Sequence, residues 1–287
     1  MKKILVQIDS DPFASVFDAV TAYDAGTDRI LQYGNVTTDQ VRGLVYGAMF
    51  TRGGKSLKNS AFFVGGSNVT VGEEMLKAVT DSFFGPVRVS VMLDSNGCNT
   101  TAVAAVRKMM SAGDIKGKKV VILAGTGPVG MRAAGLLALE GADVILTSRN
   151  MEKSESACTT VRDRFKTELS AAKVSSFEET KDILNDAYAV LCAGAAGITL
   201  IPESIWQDHP SLHVLADVNA VPPLGIENTK PHWAGKEVGG KIIYGALGIG
   251  EFKMDIHKKC IAQLFTQNDL VLDAEEVYSV AKAIDQK

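Results

Sequence analysis

Short apolar runs alternate with amphipathic stretches along nearly the whole chain. Runs at 4–8, 29–33, 61–64, 87–93, 118–124, 143–146, 188–193, 213–217 and 241–244 are rich in β-branched residues and too short for helices. They read as buried strands, with a briefer one at 173–177. Between them apolar residues recur at helical spacing. The spacing predicts a helix over 11–24 that buries Val16, Val20 and Tyr23, then one capped by Thr38 or Asp39 and running to Phe50. Further helices are predicted over 69–83, 99–112, 129–139, 151–169, 178–186, 202–207, 252–265 and 274–284, the last capped by Asp273. Strand–helix alternation predicts an α/β fold whose parallel sheets carry helices on both faces. The polar connector SAGDIKGKK at 111–119 divides the chain into two α/β domains, 1–110 and 111–266. The last helix must bury Val277, Val280, Ala281 and Ile284, and is expected to return to the first domain with residues 267–287.

One stretch changes this picture from architecture to chemistry. The strand at 118–124 runs directly into Gly125-Thr126-Gly127-Pro128-Val129-Gly130, a complete G-x-G-x-x-G, followed by a helix and a second strand. In that context Gly125 permits the tight turn, Gly127 admits a pyrophosphate to the backbone, and Gly130 lets helix and strand approach. Pro128 suits the first helical turn, whose free N–H groups attract phosphate. The motif predicts a Rossmann-like dinucleotide domain. A carboxylate that would hold an NAD ribose is missing from the end of the second strand, which reads Thr147-Ser148-Arg149-Asn150. Arg149, with Ser148 and Asn150, suits a 2′-phosphate, so NADP is favoured while NAD stays open. Ala193 and Gly194, after the fourth strand of this domain, and Asn219, after the fifth, are placed toward the nicotinamide.

Composition removes other classes. The 287 residues are 46% hydrophobic and 22% charged, with a formal net charge of −3, which gives no basis for a nucleic-acid surface. The four cysteines are widely spaced and no C-x-x-C or H-E-x-x-H occurs, so no metal site is expected and reduced thiols in the cytoplasm are. The start, MKKILVQID, reads as a first strand rather than a signal peptide, and no segment has the apolar length of a membrane helix.

Two polar clusters are candidates for substrate contact. LDSNGCNTT follows the fourth strand at a sheet's carboxyl edge and opens the helix linking the domains, where it would face the cleft between them. Its side chains either hold a polar heterocycle or cap the helix. Lys253 and His257 lie four apart, on one helix face or on a solvated one. Cys98 has no partner constellation and reads as a small buried residue. The basic loop TRGGK at 51–55 reads as a surface turn or a contact for an acidic substrate tail.

The stretches DAVTAYD at 18–24, YGNVT, TRGGK, LDSNGCNTTA, LAGTGPVGMR, NAVPPLGIE and YGALGIG resemble the bacterial methylene-tetrahydromethanopterin dehydrogenase family over essentially the whole chain. That resemblance implies two α/β domains, a homotrimer, and an NADP-dependent oxidoreductase, related to methylene-tetrahydrofolate dehydrogenases, acting in one-carbon metabolism (formaldehyde oxidation). It implies hydride transfer from the methylene bridge of a reduced pterin to NADP. By position, Gly125, Thr126, Gly127, Pro128, Val129, Gly130 and Arg149 match its cofactor segment, although the family often has Lys where Asn150 stands. Asp94, Asn96, Asn99 and Thr100 match the pterin-side segment, with Cys98 in place of a common Ser. Lys253 and His257 match a basic segment in which Asp255 replaces a frequent Lys. The expected catalytic group is Asp94, Asp18 and Lys253, with Asn96, Asn99, Thr100 and His257 binding substrate. Three rivals remain: the same chemistry on methylene-tetrahydrofolate, another NADP oxidoreductase on a shikimate-dehydrogenase-like scaffold, and an NADP-binding protein without turnover.

Overall fold

The short apolar runs become the strands of two sheets in the computed structural model, which describes residues 1–285. The chain begins β1 (Ile4–Ile8), α1 (Val16–Asp24), β2 (Arg29–Tyr33), α2 (Thr38–Phe50), β3 (Ser60–Val64), α3 (Val69–Asp81), β4 (Ser90–Leu93) and α4 (Cys98–Ser111). It continues β5 (Lys119–Leu123), α5 (Pro128–Leu139), β6 (Asp143–Ser148), α6 (Met151–Phe165), β7 (Ser170–Lys173), α7 (Phe177–Leu184) and β8 (Ala189–Cys192). Then follow α8 (Glu203–Trp206), β9 (Val214–Asp217), β10 (Ala234–Val238), β11 (Lys241–Tyr244), α9 (Ala246–Gln263), β12 (Val271–Leu272) and α10 (Ala274–Asp285). Two compact units result, Met1–Thr100 with Met254–Lys287, and Thr101–Lys253. The units exchange chain inside α4 and α9, both continuous helices, whereas the sequence reading divides them at 110/111 and 266/267.

In the first unit the strand order is β12-β4-β3-β1-β2, all parallel. The order reverses between β1 and β3, and the carboxyl edge at such a switch point is where ligands bind in open parallel sheets. Val6, Ile8, Phe62, Val64, Val91 and Leu93 face Val41, Val45 and Met49 of α2 and Met75 and Val79 of α3 in one buried cluster. The C-terminal segment is fastened to β4: Ser90 Oγ donates to Gln267 O at 2.9 Å, and Asn268 Nδ2 donates to Arg88 O at 2.9 Å. The last helix buries Val277, Val280 and Ala281 in this unit, so it returns as the apolar stripe requires.

The second unit is a seven-stranded sheet ordered β10-β11-β9-β8-β5-β6-β7, parallel except for β10. Its switch point lies between β5 and β8. Val121, Leu123, Val190, Leu215 and Ile243 fill the sheet's buried face against Leu184, Ile201 and Trp206.

Several sequence expectations change: β2 is an exposed edge strand rather than a buried one, β7 lies at Ser170–Lys173 rather than 173–177, and Thr37 rather than Thr38 or Asp39 caps α2. The first helix begins at Val16 rather than near Asp11, because Asp9 accepts the Asp11 and Ser15 N–H groups at 3.0 and 3.1 Å and keeps the intervening loop open. That helix buries Ala19, Thr21 and Ala22 and turns Val16, Val20 and Tyr23 outward. The glycine-rich 245–250 segment is not a loop but the opening of α9, where Gly245 and Gly248 lie against the Lys230–Ala234 backbone so closely that a Cβ on either would collide with it. The strand β10 is added at the sheet edge, exposed except for the half-buried Val238. No helix among the described residues is long and apolar enough to cross a membrane.

Candidate functional site

In the second unit, the β5–α5 turn is shaped by its glycines. A Cβ on Gly130 would collide with the Gly125 carbonyl oxygen, and one on Gly125 would lie 2.7 Å from Ile122 Cγ2. Nothing lies within 4 Å of a Cβ on Gly127, so that face is open space rather than packed interior. The preceding Ala124 adopts a left-handed φ of 51°, a costly conformation for a residue with a side chain, and its N–H is held by Thr147 Oγ1 at 3.2 Å.

A cavity of about 520 Å³ opens above this turn at the β5/β8 switch point. Of the residues expected at the cofactor, Thr126, Gly127, Ser148, Arg149, Asn150, Ala193 and Gly194 line it, while Gly125, Pro128, Val129 and Gly130 form the turn without reaching its wall. Asn219 is turned into its own loop: Nδ2 donates to Val221 O at 3.0 Å and Oδ1 accepts from Val221 N at 2.9 Å. That loop is held from below by Asp217, which accepts from Asn219 N at 2.9 Å and Ile226 N at 3.3 Å. Burial pushes the Asp217 carboxyl above its usual range. The wall carries two cations, Arg149 and Lys153, and no carboxylate. Val174, Ile198 and Leu200 add apolar surface and continue into an adjoining hollow of about 390 Å³ bounded by Phe177. These residues suit a phosphorylated dinucleotide: an open glycine face for pyrophosphate, cations for a further phosphate, and apolar plates for a base.

In the first unit, polar residues gather at the carboxyl edge around the β1/β3 switch point. Asp9, at the end of β1, is buried, and desolvation raises its carboxyl pKa. A Cβ built on Gly65 would lie 3.1 Å from Asp9 Oδ2 and 3.6 Å from Asp18 Oδ2, so both carboxylates converge on the glycine after β3. Asp11 ties the two neighbouring loops by accepting from Ser67 N at 3.0 Å and Ser67 Oγ at 2.8 Å.

The Asp94–Thr100 segment divides into scaffold and presented residue. Asp94 is buried and accepts from Asn99 N and Thr100 N at 3.0 Å each and from Thr100 Oγ1 at 2.6 Å. Asn99 is also buried and donates to Leu93 O at 2.6 Å and Asp273 Oδ1 at 2.9 Å. Asn96 alone of Asp94, Asn96, Asn99 and Thr100 is exposed, in a left-handed conformation (φ 52°) with its N–H donated to Gly66 O at 2.7 Å. Beneath Asp94, His257 is 0% exposed, with Nδ1 3.9 Å from Asp94 Oδ2 and its ring stacked on Phe63. Lys253, one turn earlier on α9, is half-buried. Cys98 is buried, as are the other three cysteines, all single thiols. The 51–55 loop precedes β3 and so lies at the amino edge of its sheet, the end opposite Asp94.

Sequence reasoning read Gly65-Gly66 as a turn but gave it no place in the site, and it missed Asp9 and Lys153 as site residues. The first two belong to a switch point that only strand order reveals. Lys153 carried a signal, a cation in the first turn of a helix.

Residues 16–96 match the family model described as "Methylene-tetrahydromethanopterin dehydrogenase, N-terminal". The chain is 50% identical over 98% of its length to the bifunctional protein MdtA of Methylorubrum extorquens, covering 98% of that protein. It is 31% identical to the NAD(P)-dependent methylenetetrahydromethanopterin dehydrogenase of the same organism, covering 94% of each chain. Among solved structures it is similar in fold to the shikimate 5-dehydrogenase of Listeria monocytogenes, with TM-score 0.55 and 15% identity over 99% of this chain and 96% of that one.

Proposed function

The chain belongs to the methylene-tetrahydromethanopterin dehydrogenase family, and from that premise we propose that it transfers a hydride from methylene-tetrahydromethanopterin to NADP, giving methenyl-tetrahydromethanopterin. The observation that carries this reading is the 31% identical relative spanning 94% of the chain, whose name states both the pterin and the dinucleotide. The cation-lined, carboxylate-free cavity of the second unit supports the choice of NADP.

The chemistry asks little proton traffic of the protein. A hydride leaving a carbon between two nitrogens leaves a delocalised amidinium cation, and no proton moves. NADP, when bound, supplies the carbon that accepts the hydride. The chain's own work is to position and to stabilise charge. In the second unit Gly127 admits the pyrophosphate, Ser148, Arg149 and Asn150 hold the ribose phosphate, and Ala193 and Gly194 let the nicotinamide end approach the backbone. In the first unit Asp18 places a carboxylate beside the growing positive charge and Asn96 offers donor and acceptor to the pterin edge; Lys253, the last residue of the second unit, holds a polar substituent. Asp94, Asn99, Thr100 and His257 act beneath them as positioning residues that fix the Asn96 loop.

The reading extends to assembly and place. Two sets of apolar residues are exposed on the first unit: Phe13, Val16, Val20 and Tyr23, and Phe50 with Phe84, which pack on each other and on the half-buried Tyr46. A head-to-tail contact between unlike patches forms a closed ring when its rotation is one third of a turn, which suits a homotrimer. None of the four buried cysteines is in a disulfide, which suits the cytoplasm, where one-carbon oxidation would use the enzyme. Purified protein with methylene-tetrahydromethanopterin and NADP tests the reaction by the absorbance of the methenyl product. Turnover is expected; silence with this pterin alongside turnover of methylene-tetrahydrofolate would overturn the substrate assignment.

A further inference from the structure

We propose that Asp9 is a positioning residue for hydride transfer, its carboxylate setting the places of Asp18 and Asn96 without itself touching the pterin; this rests on the reading of the first unit as the pterin side.

Asp9 directly follows β1 and is 1% exposed, so it does not reach a ligand, whereas Asp18 is half-buried and Asn96 exposed. A carboxylate taken out of water is costly unless its oxygens are occupied, and here they gather the backbone of two loops. Oδ1 accepts from Asp11 N at 3.0 Å and Oδ2 from Ser15 N at 3.1 Å, and the Gly66 N–H also favours the charged form. Each tie continues to a residue of the site. Ser15 is the N-cap of α1, and its hydroxyl accepts the Asp18 N–H at 3.2 Å, so the anchored Ser15 fixes where the helix begins and where Asp18 stands. That helix depends on its anchor, because the side it buries is only Ala19, Thr21 and Ala22. On the other side, Gly66 O accepts from Asn96 N at 2.7 Å and Gly65 O from Ser95 Oγ at 2.6 Å, so the turn that faces Asp9 carries the Asn96 loop. Asp11, held by Asp9, closes the ring through Ser67. The turn needs its glycines for this approach: a Cβ on Gly66 would lie 3.0 Å from Asp9 Oδ1, and its φ is +90°. One buried carboxylate thus sets both the charge-stabilising acid and the residue offered to the pterin edge.

The test is a double-mutant cycle of wild-type, Asp9→Asn, Asp18→Asn and doubly substituted protein. It reads kcat and KM for methylene-tetrahydromethanopterin and, by calorimetric titration, the NADP dissociation constant. An amide offers one acceptor oxygen and turns its NH2 toward the other N–H group, so Asp9→Asn releases one of the two loop anchors. It should lower kcat about tenfold to fiftyfold, raise the pterin KM about threefold to tenfold, and leave the NADP dissociation constant within about twofold. In the Asp18→Asn background the kcat loss from Asp9→Asn should shrink to about twofold, because the carboxylate it positions is gone. Ser15→Ala keeps the N–H on Asp9 and removes only the cap on Asp18. It should lower kcat about threefold, a loss that also disappears with Asp18→Asn, and it carries the test if Asp9→Asn folds poorly. Losses that persist in full in the Asp18→Asn background, or a lower melting temperature with kcat and KM unchanged, would overturn the role given to Asp9. A wild type silent with the pterin would instead overturn the pterin reading, and this role with it.

Discussion

A carboxylate that stabilises developing charge acts through its distance from the reacting carbon, so removing its charge should slow the chemical step without loosening the cofactor. Asp18→Asn is expected to lower kcat about a hundredfold with the NADP dissociation constant unchanged, measured by steady-state kinetics and titration. Asp94→Asn should behave differently. Its two oxygens accept three hydrogen bonds inside the fold, and an amide can accept only part of that set. The expected result is a loss of about 2 kcal/mol in denaturant unfolding. Asp9 and Asp217 give the pH dependence. Burial raises both folded pKa values above the ordinary 3.8. Their contribution to stability is therefore fully present below the unfolded pKa and is lost as pH rises through the raised folded values. As pH rises above the ordinary 3.8, the melting temperature of Asp217→Asn should change less with pH than that of wild type. A parallel pair of profiles would show that Asp217 does not titrate differently in the two states.

At the scale of the element, the β5–α5 turn separates packing from binding within a few residues. Gly127→Ala meets open space and has an ordinary negative φ of −80°, so it should fold normally and weaken NADP at least tenfold. Gly130→Ala meets the Gly125 backbone and should cost about 2–3 kcal/mol of stability. Thermal melts beside NADP titrations distinguish the two. This turn was legible in the sequence because strand, glycines and helix are contiguous, and so were the central parallel strands β3, β4, β5, β8 and β9, whose apolar runs record burial on both faces; the edge strand β2 is exposed despite its apolar Ile30 and Leu31. The buried side of α1 was not, because it is made of Ala19, Thr21 and Ala22 while the larger Val16 and Val20 point outward. Periodicity weighs size, and here the small residues are the packed ones. Likewise β10 is a polar edge strand without an alternating pattern. The glycines of α9 give close backbone approach rather than a loop, and only the neighbouring 230–234 segment shows why. The Asp94 segment announced its polarity but not its division. That Asp94, Asn99 and Thr100 turn inward while Asn96 turns out depends on the left-handed backbone at Asn96 and on Asp273, far along the chain.

For the whole molecule, the exposed apolar residues of the first unit are expected to be covered by neighbouring copies. Val20→Lys or Phe50→Glu, one in each patch, should each reduce the light-scattering mass from a multiple of 30.5 kDa toward a single chain. Retention of the assembly by both variants would place the interface elsewhere. The central claim is that the oxidation is a direct hydride transfer in which no proton moves, catalysed by position and charge. The most direct measurement uses methylene-tetrahydromethanopterin carrying two deuterium atoms on the bridging carbon, with NADP in ordinary water. The account predicts one deuterium on C4 of the reduced dinucleotide, none released to solvent, and a single-turnover rate flat from about pH 6 to 8. Deuterium in the solvent, or a rate governed by one ionisation across that range, would contradict it.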